Sequence, residues 1–105
     1  MAKYLMQASY GAQGVQGLIQ GGGSSRVAAV EALVQQMGGT LEVVYFSFGD
    51  SDVIGICDMP DNVSAVAISL AVNASGVINA KVTPLITPEE LDAAAKKVPN
   101  YTPPG

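Results

Sequence analysis

Two runs dense in β-branched and aromatic residues, Thr40 to Phe48 and Asp52 to Met59, flank the turn-forming Gly49-Asp50-Ser51. This is the pattern of a β-hairpin. Alternation along the first run sets Leu41, Val43 and Tyr45 on one side and Val44, Phe46 and Phe48 on the other. Neither side suits bulk water, so the hairpin predicts a sheet covered on both faces. A chain of 105 residues has room for one domain and one core, taken here as residues 1–105. Its own helices can cover one face, and the second needs another copy.

The other elements follow from periodicity and punctuation. Lys3 to Tyr10 alternates with Tyr4, Met6, Ala8 and Tyr10 on one side, as a strand requires. The glycine-rich stretch from Gly11 to Gly23 is poor in helix formers, which predicts a short helical turn around Val15 to Gln20 followed by a loop. Ser24 or Ser25 is expected to cap the next helix, with Val27, Val30, Leu33, Val34 and Met37 at helical spacing and Gly38 at its end. Asp61 is expected to cap another helix, whose stripe reads Val63, Val66, Ala67, Leu70 and Ala74 before Gly76. Val77 to Ile86 reads as the last strand. Thr87-Pro88-Glu89-Glu90 then combines a capping box with proline at the first helical position.

The order β-α-β-β-α-β with a C-terminal helix predicts an α+β, ferredoxin-like fold. From Asn62 to Ala80 there is no charged residue, and a helix apolar or small nearly all round is normally buried on more than one side. Only 13% of residues are charged, against roughly 25% in typical soluble domains. Together these predict a homodimer, or higher oligomer, built by sheet packing on sheet.

These residues resemble the GYD-domain proteins, small bacterial proteins of the dimeric α/β-barrel superfamily. The resemblance runs nearly end to end. It is carried by KYLMQASY, GVQGLI, Met37-Gly38-Gly39-Thr40-Leu41-Glu42, YFSFGDSDV, Leu70-Ala71-Val72-Asn73-Ala74-Ser75-Gly76 and Thr83-Pro84-Leu85-Ile86-Thr87-Pro88-Glu89-Glu90. At the namesake Gly-x-Tyr-Asp motif the chain has Gly49, Asp50, Ser51 and Asp52, with serine in place of tyrosine. The resemblance implies a dimeric α/β-barrel type of ferredoxin-like fold, but no particular activity, since the superfamily spans several chemistries.

The chemistry is bounded mainly by exclusion. The chain has no histidine, which removes the commonest general base and zinc ligand and excludes Ser-His-Asp and Cys-His mechanisms. Its five cations, Lys3, Arg26, Lys81, Lys96 and Lys97, are scattered under a net charge of -4, so nucleic acid is not an expected partner. No signal peptide or membrane segment is apparent, which predicts a cytoplasmic protein without a membrane partner. Gly11-x-x-Gly14-x-x-Gly17 lacks the Gly-x-Gly-x-x-Gly spacing of a dinucleotide fingerprint; a lid over the sheet is the reading kept. Asp50 and Asp52 either hold a cation or serve the turn, and the turn is favoured. Lone Cys57 in an apolar strand reads as core. No cofactor or metal is expected.

Ligand-binding candidates are Tyr10, Arg26, Tyr45, Phe48, Asp52 and Lys81. The aromatic residues are suited to line a cleft, although strand aromatics more often serve core or interface; Arg26 and Lys81 are suited to an anion, with a solvated first-turn residue or interface ion pair the slightly favoured reading for Arg26 and a carboxylate neighbour the alternative for Lys81. The leading expectation is a homo-oligomer that binds a small apolar or anionic molecule. Alternatives are a cofactor-free monooxygenase or isomerase using Tyr10, Tyr45, Asp52 or Lys81 for proton transfer, and a structural subunit that self-assembles.

Overall fold

The computed structural model covers Met1–Gly105 and runs β1 (Ala2–Tyr10), α1 (Ala12–Gly21), α2 (Gly23–Gln36), β2 (Thr40–Phe46), β3 (Val53–Met59), α3 (Asn62–Ala74), β4 (Ile78–Pro84) and α4 (Pro88–Ala95). The sheet has four strands in the order β2-β3-β1-β4, and all three pairings are antiparallel. This is the ferredoxin-like α+β arrangement expected from the element order. Helices α2 and α3 cover one sheet face.

The core lies at the end of that face where β1 begins. Tyr4, Val34, Cys57, Met59, Ala65 and Ile68 are buried together there, with Leu33, Leu41, Met6 and Val82 packed around them. The Tyr4 hydroxyl bonds the Asn62 side chain, so the phenol's polar end is satisfied at the start of α3 while its ring is buried. Asp61 caps α3 as expected, accepting from the Ser64 N–H at 2.7 Å.

Four local expectations are corrected. In β2, Leu41 pairs with Cys57 but Val43 pairs with Ile56, so Glu42 is an extra residue in a bulge. The bulge moves Leu41 to the helix side with Val44 and Phe46, and frees Glu42 to bond Lys3 on the open face at 2.8 Å. Alternation alone had put Leu41 with Val43 and Tyr45. In α3, the predicted stripe faces outward: Val63, Val66 and Leu70 are exposed, while Ala65 and Ile68 are buried. Both sides of that helix are apolar, so periodicity alone does not select the side that packs on β4 and β3.

The glycine-rich stretch is also more ordered than expected. It forms α1, a helix of ten residues, instead of a turn and a lid loop. Gly14 explains how: a Cβ there would stand 2.6 Å from the Val77 carbonyl oxygen and 3.2 Å from the Tyr10 ring. Close docking on the ends of β1 and β4 outweighs poor helix propensity, which is a weak preference. Gly22, at φ 82°, then breaks the chain between α1 and α2. Consequently α2 starts at Gly23 with no side-chain cap, and neither Ser24 nor Ser25 serves as one.

Candidate functional site: an apolar cleft with a polar mouth

The sheet face that carries the core changes character toward the far end of β1. Across three strands the register brings Val53, Ala8 and Ala80 side by side, and Gly55 faces Met6 one step back. Small side chains leave a depression there. Val27 and Val30 of α2 and Ile68 and Val72 of α3 roof it over, and Phe46 and Val82 close its flanks. The result is a narrow cleft of ≈ 70 Å³, lined by 19 residues of which 14 are hydrophobic. That volume is less than half the ~150 Å³ of a cavity that accommodates benzene, so it admits a short alkyl chain of a few carbons and excludes a ring.

A second, wider groove of ≈ 340 Å³ lies beside it between α1 and the start of α2, bordered by Gln13, Gly17, Gly21, Gly22 and Ser25. Tyr10, Arg26 and Ile78 belong to both walls. The Arg26 Nε is buried without a hydrogen-bond partner. A buried guanidinium donor left unmatched is costly, and an anion is its natural complement. Arg26 also stands in the first turn of α2, where a cation opposes the helix dipole and an anion would relieve it.

The Tyr10 phenol is pushed up from its ordinary 10.0 chiefly by burial, while the Arg26 charge pulls the other way and Asp52 adds a smaller upward push. Its backbone N–H donates to Asp52 Oδ2 at 2.8 Å. The Asp52 N–H in turn donates to the Ala8 carbonyl at 2.8 Å, and its carbonyl accepts from the Ser47 N–H at 2.9 Å. Asp52 thus fastens the β2–β3 loop to the end of β1 and holds Tyr10 at the cleft mouth.

The structure therefore gathers Tyr10, Arg26 and Asp52, and separates the other candidates. Phe48 is mostly exposed at φ 53° and stacks outside Phe46 with centroids 6.4 Å apart; Phe46 is the ring that lines the cleft. Tyr45 is exposed opposite Ile54, on the open sheet face. Lys81 pairs with Gln7; its strand forms part of the cleft wall, but alternation turns its exposed side chain to the open face. The residues weighed for proton transfer are split between two sides of the sheet. Cys57 is buried and burial pushes its thiol up, with Asp58 a smaller contributor, in keeping with a core role. No cluster of three or more potential metal-ligating side chains is present.

Cleft floor and roof were not singled out from sequence. Ala8 and Ala80 become a floor only through a register that joins residues far apart in the chain.

The GYD-domain family model matches residues 4–95. The chain belongs to the GYD-domain family. The match spans every strand and the cleft, and it stops within a residue of the end of α4. Comparison with curated proteins and with solved structures gave no significant match to this GYD-domain protein. No helix is long and apolar enough to cross a membrane.

Proposed function

We propose that this GYD-domain protein binds a short-chain aliphatic carboxylate, with the alkyl chain in the apolar cleft and the carboxylate at Arg26. The carrying observation is the unpartnered Nε of Arg26, buried where the apolar cleft meets the wider groove. Burial of each CH₂ contributes about 0.8 kcal/mol, and the guanidinium supplies the charge-assisted bond that fixes orientation. The Tyr10 phenol, held protonated by burial, is a hydrogen-bond donor to such a head group. A raised phenol is poorly suited to act as a base at neutral pH, which favours binding over the proton-transfer alternative.

Calorimetric titration with butanoate and with butanol tests this. Butanoate is expected to bind at least tenfold more tightly, and Arg26→Gln is expected to erase that preference while leaving the fold intact. Equal binding of acid and alcohol by the native protein, or no binding of either, overturns the reading.

The same protein is proposed to pair through its open sheet face. Two rows cross that face, Val43-Ile56-Leu5-Thr83 and Tyr45-Ile54-Gln7-Lys81. Val43, Tyr45, Ile54, Ile56 and Leu5 form an apolar patch on this face, flanked by Lys81 on the edge strand and, at one end, by Lys3 bridging Glu42 at 2.8 Å and Asp58 at 3.3 Å. Such a patch supports sheet-on-sheet packing. Sedimentation of the native chain is expected to show a dimer or larger species, and Ile56→Glu a smaller one. A native monomer at micromolar concentration would sink the idea.

A further inference from the structure

The chain does not close up after β4. Its radius of gyration is 16.5 Å and its extents are 54 × 35 × 22 Å, whereas a compact domain of this length has a radius near ~13 Å. The excess lies in the C-terminal arm, where every residue from Ile86 to Gly105 is exposed. Leu85 donates its N–H to the Lys3 carbonyl at 2.9 Å, which prolongs the β1–β4 pairing and launches the arm off the end of the sheet.

This arm is built to be a helix. Thr87 Oγ1 accepts from the Glu90 N–H at 3.1 Å, and Glu90 Oε1 accepts from the Thr87 N–H at 3.0 Å. Yet α4 has eight residues, and isolated helices shorter than roughly 12–15 residues are marginal in water. It is amphipathic: Leu91, Ala94 and Ala95 share one side, Glu89, Glu90 and Asp92 lie elsewhere, and Val98 follows just past the helix end. Leu91 is 60% exposed.

A matching surface exists on the body of the same chain. The outer side of α3 carries Val63, Val66, Ala67 and Leu70 at the same spacing, and Leu70 is 67% exposed. No charge lies between Asn62 and Ala80, so the arm's carboxylates meet no like charge there. One stripe sits on a rigid helix, the other on an arm held away from its own body.

We infer that the C-terminal arm of one chain packs the Leu91-Ala94-Ala95 side of α4, with Val98 just beyond it, along the outer face of α3 of a second copy. Two such stripes give ordinary ridge-into-groove helix packing. The contact joins different surfaces, so it closes a dimer when two chains exchange arms and a ring when the exchange passes round several. It rests neither on the carboxylate ligand nor on the sheet seam.

Cross-linking tests it. Leu91→Cys and Leu70→Cys chains are mixed and mildly oxidised; Cys57, buried with its thiol pushed up, stays out of the reaction. A mixed disulfide dimer is expected to predominate over that formed between Leu91→Cys and a control, Glu31→Cys, on the exposed side of α2. Three outcomes overturn the inference: a yield no greater than the control, a prevailing Leu91–Leu91 homodimer showing arm against arm, or an intrachain disulfide in the double variant at high dilution.

Discussion

The two halves of one sheet face make the most instructive comparison in this molecule. At the end where β1 begins, Tyr4, Cys57 and Met59 meet Val34, Ala65 and Ile68 with almost no exposed surface. At the other end the same three strands present Ala8, Ala80 and Val53, beneath the same helices. The backbone layers are continuous, so side-chain size decides which half is solid and which is hollow. Close packing is the default of protein interiors. A hollow therefore marks the half where stability has been traded for room, and Arg26 stands at its mouth.

The largest expected contrast is in truncation. Met59→Ala removes a fully buried side chain and is expected to cost about 2–5 kcal/mol by chemical denaturation. Met6→Ala, which faces Gly55 at the cleft, is expected to cost about 1 kcal/mol, the lost transfer alone. Similar losses at both sites would show that the cleft is as tightly packed as the core.

Enlargement should reverse the logic. Ala65→Leu in the packed half is expected to destabilise by about 1–3 kcal/mol through overpacking. Ala8→Leu fills existing space, so its cost should stay below about 1 kcal/mol while butanoate affinity falls at least tenfold. An unchanged affinity would place the ligand elsewhere.

The smallest effects separate the two ends by pH. Tyr10 has its phenol raised above 10.0 by burial, so its contribution is fully present below pH 10 and lost as pH rises through the folded value. Asp61 is lowered from 3.8 by the bonds from Ser64; its contribution is present above that value and lost as pH falls through the folded one. Denaturation across pH should show the alkaline loss diminished in Tyr10→Phe and the acid loss diminished in Asp61→Asn.

Much of this protein was determined by short-range chemistry. The strand of Tyr4, Met6, Ala8 and Tyr10, the Asp61 cap, the Thr87–Glu90 box and the glycines that end α2 and α3 all act within a few residues, so the sequence alone locates them. Scarce charge on both sides of the hairpin is what raises the expectation of a covering partner. Tertiary structure decided what depends on distant neighbours. The Glu42 bulge reversed Leu41, and docking on Val77 made a helix of glycines. Packing chose which apolar side of α3 to bury. The cleft belongs to this second class: alanines unremarkable in the chain form a floor only when three strands pair, and Arg26 is left unmatched only when the helices close over them.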